Sequence, residues 1–238
     1  FSKVGNFQKA SCFSNASSVA YVYYTSGSTG NPKGIRVGND NVLNLVTVLS
    51  GLPFQWSYKE ALLYQCSCSF DHYVVTIMWS IWKNGSIVVV KQGMEKDSAY
   101  LCKVIEREQV SVLFFVPSHF SILCNEKELR ESKTLRLAMT AGESLSVALV
   151  NKFRKRMGEE ETESVKMWNV YGPTETTVDV SYFDTSIERR LETHSHISIG
   201  RAFANTQLRA KKEFWLCGAQ VSQGYIGRPE KTKESFVY

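Results

Sequence analysis

Short apolar runs alternate along the chain with longer stretches whose apolar residues recur at helical spacing. The runs from Val19 to Tyr24, Ala61 to Cys66, Ser86 to Val90, Val110 to Val116, Leu135 to Thr140 and Val165 to Val170 predict strands. The stretches from Asn41 to Ser50, Tyr73 to Lys83, Ala99 to Glu108, Ser118 to Asn125 and Ser146 to Met157 predict helices, the fourth of them short and set behind a proline. The first strand, VAYVYY, reads as buried because it is apolar throughout. Strands and amphipathic helices in alternation predict an α/β fold, a parallel sheet with helices on both faces. Right-handed crossovers then bring the carboxyl ends of the strands to one edge, where such sheets bind ligands. Residues 1 to 18 are polar and rich in Ser and Asn, and read as a linker or loop ahead of one domain over 19–238.

Composition narrows the function. With 238 residues, 43% of them hydrophobic and 12% aromatic, the chain can bury a substantial core. A net charge of +5 from scattered Lys and Arg is far from a basic nucleic-acid-binding stripe, so no nucleic acid is expected as a partner. No signal peptide and no membrane-spanning apolar run is present, so a cytoplasmic location and no membrane partner are expected. Cys12, Cys66, Cys68, Cys102, Cys124 and Cys217 lack zinc-finger spacing and read as small core residues in a reducing compartment. The first residue is Phe1, which points to a processed chain or a piece of a larger one.

Three polar, turn-rich segments follow predicted strands and should share that edge. The first is Thr25, Ser26, Gly27, Ser28, Thr29, Gly30, Asn31, Pro32, Lys33 and Gly34. Its glycines let backbone N–H groups converge, its hydroxyls donate to phosphate oxygens, and Lys33 brings positive charge. It is a phosphate cradle without the Walker order, since Pro32 precedes the lysine and Gly34 follows it. A Gly/Ser linker would not be so short, nor follow an apolar strand directly. The second is Asn169, Val170, Tyr171, Gly172, Pro173, Thr174 and Glu175. Tyr171 offers a face for a purine, Asn169 an amide for its edge, Thr174 a donor to phosphate, and Glu175 a hard oxygen ligand for Mg²⁺. Alone, Tyr-Gly-Pro-Thr would read as an ordinary turn. The third is Thr140, Ala141, Gly142 and Glu143.

In this order the segments resemble the signature elements of the AMP-forming adenylate synthetase (AMP-binding) superfamily: TSGSTGNPKG, then TAGE, then NVYGPTE. Gly200-Arg201 and the run from Gly218 to Thr232 resemble later elements, so the likeness runs from about Val19 to the end of the chain. The resemblance implies that Thr25, Ser26, Gly27, Ser28, Thr29, Gly30, Lys33 and Gly34 hold ATP phosphates. It also implies that Gly142, Glu143, Asn169 and Tyr171 line the adenine site, and that Thr174, Glu175 and Lys33 are catalytic, Glu175 as the metal ligand. Phe70-Asp71 resembles an element of the adenylation domains of nonribosomal peptide synthetases, in which the aspartate pairs with the substrate's α-amino group. The other reading of Asp71 is a helix N-cap. By the same resemblance His72, Val75, Ser118, Met139, Ala141, Val170, Val178 and Asp179 line the side-chain pocket. Asp179 either points inward and selects a polar or basic side chain, or points outward and is a solvated strand residue.

The implied activity is activation of an amino acid by ATP and Mg²⁺ to an aminoacyl-adenylate, with release of pyrophosphate. Transfer to the phosphopantetheine thiol of a partner carrier domain, expected in the same parent chain, would follow. An acyl- or aryl-CoA ligase on the same scaffold is the alternative, against which Asp71 argues. An inactive truncated fragment is a third reading. Only Arg209 to Glu213 stand between Leu208 and Phe214, where the family has a longer hairpin. The family's ribose-binding aspartate and its small domain with a catalytic lysine are not found before Tyr238, and on this reading the β-rich C-terminal portion is partial.

Overall fold

The computed structural model describes residues 15–26, 31–56, 59–158, 165–186, 195–210 and 212–237. A seven-stranded sheet forms the centre. Its strands are β3 (Ala61–Tyr64), β4 (Ser86–Val89), β5 (Val112–Phe115), β6 (Leu137–Thr140), β7 (Lys166–Tyr171), β8 (Ser181–Asp184) and β9 (Arg201–Ala202). They lie in the order β4-β3-β5-β6-β7-β8-β9; the first five are mutually parallel, β8 pairs antiparallel with β7, and β9 pairs antiparallel with β8. The predicted parallel sheet is therefore present, extended by two antiparallel strands that the polar sequence after Tyr171 did not signal.

Helices cover both faces. α1 (Asn39–Gly51) and α2 (His72–Trp82) contribute Leu45, Leu49, Val75 and Trp79 to a core shared with Leu62, Met139 and Trp168. α3 (Ser98–Arg107), α4 (Pro117–Leu123) and α5 (Val147–Met157) bury Leu101, Ile105, Phe120 and Phe153 against Leu63, Leu113 and Ala138. The inner strands are apolar on both sides because both sides are covered. Local signals set the helix starts: Asp97 accepts the Tyr100 N–H, Ser146 accepts the Leu149 N–H, and Pro117 stands in the first turn of α4.

The run from Val19 differs from the expectation. It forms β1 (Val19–Thr25), which pairs antiparallel with β2 (Lys33–Gly38) in a ribbon separate from the main sheet. Within β1 only Tyr23 is buried, while Val19, Val22 and Tyr24 are exposed. An apolar run by itself does not distinguish a sheet-core strand from one side of a hairpin. In β2, Ile35 and Val37 are fully buried and pack with Tyr225 and Phe236 in a third, small core. Hydrogen bonds from Gln223 N to Arg36 O, Arg36 N to Gly224 O and Ile226 N to Gly34 O lay residues 223–226 alongside β2. Further along, β10 (Thr206–Ala210) and β11 (Phe214–Gly218) close into an antiparallel hairpin across the short connection. α6 (Pro229–Ser235) completes the described elements.

The strand order reverses between β3 and β5, because β4 lies on one side of β3 and β5 on the other. Such a switch point is where open parallel sheets leave a crevice at their carboxyl ends. Here Leu62↔Val112 is the only registered pair of the two strands, whereas β5 and β6 share four. Beyond that pair the Gln65 side-chain amide spans the gap and donates to Phe114 O at 2.5 Å.

Candidate active site

The switch-point crevice receives the N-terminus of α2. Asp71 holds the N-cap position of that helix, but its side chain makes no capping hydrogen bond. Burial raises the Asp71 pKa above the ordinary carboxylate range; nearby His72 and the Thr174 side chain oppose the rise, and Asp179 adds to it. The His72 ring lies 4.1 Å from the Phe114 ring, centroid to centroid, and its Nε2 is 3.6 Å from Asp179 Oδ1. That separation is too long for a hydrogen bond. Asp179 is 1% exposed, so it points inward. Neither of its carboxylate oxygens has a hydrogen-bond partner among the described residues, nor do the buried His72 Nε2 and Tyr21 Oη. Asp71 and Asp179 both act electrostatically on the Tyr21 phenol, whose pKa burial has already pushed up, so these groups share one neighbourhood. Buried polar atoms without hydrogen bonds are rare and costly, and four of them, two on the Asp179 carboxylate and one each on His72 and Tyr21, mark a place suited to a polar ligand.

Apolar walls adjoin this polar patch. Val75, Met139, Ala141, Val170 and Val178 are all buried in one core cluster, so the structure brings together five of the residues expected to line a side-chain pocket. Ser118 is exposed at the start of α4, where its N–H and its hydroxyl, each at 2.9 Å, donate to the Glu143 carboxylate. Glu143 and Gly142 are exposed on the loop after β6. Asn169 is buried in β7, and its amide donates to Ser198 O at 2.9 Å, so that donor is spent on a neighbouring loop.

The turn after β7 is strained. Thr177 and Val178 have φ of 56° and 68°, a region that a β-branched residue seldom occupies. Thr177 Oγ1 donates to Gln220 O, and Gln220 Nε2 donates to Asp179 O, each at 2.8 Å and buried. Gln220, quoted in the sequence only as part of a motif, thus fixes the backbone that aims Asp179. Gly172 is required by close approach: a Cβ there would stand 2.3 Å from Val178 O and 2.7 Å from Asp179 Cα. Gly172→Ala is expected to cost about 2 kcal/mol or more, a fall of roughly 5 °C in Tm, measurable by thermal unfolding. An unchanged Tm would show that the turn is loose.

Glu175 lies in the single helical turn Thr174–Thr176. Its backbone carbonyl accepts the Ser222 N–H at 2.8 Å, and its Oε1 accepts the Tyr225 hydroxyl at 2.8 Å. Burial and the neighbouring Glu175 carboxylate push the Tyr225 phenol up to about 12, so it remains a neutral donor at physiological pH. Lys33 Nζ stands 4.8 Å from the centroid of the Tyr225 ring. Glu175 and Tyr225 line an open cavity of about 570 Å³ together with Phe214, Trp215 and Phe236. Phe214 is 6.2 Å from the Tyr171 ring, so an aromatic wall faces the same space. The volume falls within the range of small-molecule sites. Glu175 is a half-buried carboxylate with lone pairs left after one hydrogen bond, a donor chemistry that fits a hard divalent cation.

Of the glycine loop, Thr25 ends β1 and Lys33 and Gly34 begin β2, with Thr25 paired to Lys33. Gly27, Ser28, Thr29 and Gly30 lie outside the described residues, as does Cys12. The hairpin reaches the crevice through Tyr23, whose hydroxyl donates to Phe70 O at 3.0 Å and to Cys68 O. Cys102 and Cys124 are the core residues expected, but Cys68 is exposed and Cys66 and Cys217 are half-buried. None of the helices among the described residues is long and apolar enough to cross a membrane.

The sequence model of the family described as "AMP-binding enzyme" matches residues 3–225. A plipastatin synthase polypeptide of Bacillus subtilis (strain 168) is 30% identical over 236 residues, covering 92% of this chain and 6% of that protein. Tyrocidine synthase 3 of Brevibacillus parabrevis is 31% identical over 231 residues, covering 92% of this chain and 3% of that protein. The chain therefore spans less than a tenth of the length of these two relatives. Among solved structures, the Vibrio cholerae adenylation domain AlmE in complex with glycyl-adenosine-5'-phosphate superposes with a TM-score of 0.77 at 23% identity. That match covers 92% of this chain and 43% of the other, and it establishes a shared fold.

Proposed function

The chain belongs to the AMP-binding enzyme family, and from that premise we propose that the protein carrying it activates an amino acid with ATP. An oxygen of the amino-acid carboxylate bonds to the α-phosphorus, the bond from that phosphorus to the bridging oxygen breaks, and pyrophosphate leaves with the electron pair. The product is an aminoacyl-adenylate, whose acyl group then passes to a carrier domain's phosphopantetheine thiol. Residues 19–238 form part of the adenylation domain in this reading.

The observation that carries the proposal is the polar patch at the switch point. Asp71 is desolvated and makes no capping bond to its own helix, and Tyr21, His72 and Asp179, each with a buried polar atom that lacks a hydrogen bond, act in its neighbourhood. A buried carboxylate of this kind asks for a cationic partner, which an α-ammonium group supplies. Thr174, which influences the Asp71 carboxyl, shares its turn with Glu175, so the proposed ammonium and phosphate sites adjoin. Glu175 would hold Mg²⁺, which supplies charge neutralisation at the phosphate oxygens when bound. Lys33, at the start of β2, would add positive charge, and Tyr171 would offer a face to the purine. The residues work by positioning and by electrostatics prepared in advance. Hydroxylamine added to the whole protein with ATP and an amino acid should trap the adenylate as a hydroxamate. A hydroxamate formed from fatty or aryl acids and from no amino acid would overturn the reading.

Asp179 bears on which amino acid is used. It is buried and unpartnered, with His72 as its nearest cationic candidate. The pocket therefore favours a small-to-medium side chain with a polar or basic end. Asp179→Asn should lower the preference for such side chains by about 10-fold relative to apolar ones, without disabling adenylation in general. A substrate panel with an unchanged ranking would remove Asp179 from the pocket.

A further inference from the structure

We propose that Tyr225 is a positioning residue that orients the Glu175 carboxylate for its metal and seats the Lys33 ammonium on its ring, coupling the glycine-loop strand to the Glu175 turn. This rests on the assignment of Glu175 to Mg²⁺. Tyr225 is 5% exposed, and its backbone is held by β2 and by Thr232. Residues 223–226 run along β2, the strand that carries Lys33, and the Tyr225 N–H donates to Thr232 Oγ1 at 3.0 Å. The ring packs edge-on against Phe236 at 5.3 Å and shares the small core with Ile35 and Val37. Its two useful groups then point at two different segments. The hydroxyl donates to Glu175 Oε1 at 2.8 Å, and the ring face lies 4.8 Å from Lys33 Nζ.

A glutamate side chain has three rotatable bonds and loses metal affinity when it wanders. One fixed donor on Oε1 restricts that rotation and leaves the remaining lone pairs free to coordinate. Partners of this kind typically change metal affinity by 10–100-fold when removed. The Ser222 N–H on the Glu175 carbonyl comes from the same segment, so side chain and backbone of Glu175 are both held from there. A lysine over an aromatic face is also attracted by the ring and keeps its hydrogen-bond donors free for phosphate.

The test is Mg²⁺-dependent binding of a non-hydrolysable ATP analogue to the whole protein, followed by calorimetry. Tyr225→Phe removes the hydroxyl and keeps the ring, and should raise the Mg²⁺ concentration at half-effect by about 10-fold. Its Mg²⁺-free nucleotide affinity should stay at the wild-type value, which a general packing defect would not leave intact. In a Glu175→Gln background the same change should have a clearly smaller effect on the Mg²⁺ dependence. A Tyr225→Phe protein with the wild-type Mg²⁺ midpoint, or with equal losses with and without Mg²⁺, overturns the inference. So does full additivity with Glu175→Gln. Wild-type protein whose nucleotide binding ignores Mg²⁺ would instead overturn the assignment of Glu175 itself, and this inference with it.

Discussion

Glu175→Gln will lower adenylate formation in the whole protein by roughly 10²–10³-fold, the loss usual when one charged contact to a transition state is removed. Glutamine keeps the shape and can still accept the Tyr225 hydroxyl, so the turn should survive. The formal charge opposite the metal is what disappears. Activity should be recovered only in part by excess Mg²⁺, because a neutral amide oxygen is a weaker ligand for a hard cation. Steady-state kinetics across a Mg²⁺ series check this. Near-normal turnover at limiting Mg²⁺ would show that Glu175 is not the metal's carboxylate.

Asp71→Ala will have an effect of the same order on every α-amino acid tested, because all of them share the group it pairs with. Stripping one partner from a buried ion pair costs about 3–5 kcal/mol, which corresponds to a 10²-fold loss or more. Asp71→Asn separates function from folding. Burial raises the Asp71 pKa, so the carboxyl holds its proton to higher pH in the folded chain than in the unfolded one. The folded state thus binds more protons in that window, and stability falls as pH rises through it. Asparagine removes this cost. The variant should match or exceed wild type in thermal stability above the window while losing amino-acid activation. The same raised pKa predicts that the KM for the amino acid in wild type climbs on acidification before an ordinary aspartate would titrate. A structural Asp71 would give the opposite pattern, a lower Tm with activity retained.

Much of this was legible in the sequence. Both-faces burial makes strands such as Val112–Phe115 and Leu137–Thr140 apolar throughout, and helices such as Ser98–Arg107 carry their own caps and stripes, so the parallel core could be read from pattern. Asp71 and the Tyr-Gly-Pro-Thr-Glu turn stand out in the sequence only through family resemblance, the turn also through its order after the glycine loop. What pattern did not disclose depends on contacts between distant segments. The alternation of Ile35, Arg36 and Val37 marks a half-buried strand, but it lies inside a stretch whose glycines and proline dominate the reading. VAYVYY looks like sheet core because a hairpin flank and a buried strand share one apolar composition. Tyr21 and Tyr225 resemble any packed tyrosine until the fold puts one beside Asp71 and Asp179 and the other against Glu175. Alternate tyrosines in β1 and the tyrosine beside Gly224 were the available signals, and neither carries a role without the tertiary structure. The family resemblance places Ser118 in the pocket, and the structure adds that its N–H and hydroxyl donate to Glu143, a pairing across 25 residues that no local pattern announces.

The most direct measurement is ATP–pyrophosphate exchange by the whole protein across a panel of amino, fatty and aryl acids. A site built around Asp71 and Glu175 predicts Mg²⁺-dependent exchange that requires an α-amino acid, favours polar or basic side chains, and is lost in Asp71→Ala. Exchange supported by fatty or aryl acids alone, or by amino acids equally well in Asp71→Ala, would contradict it.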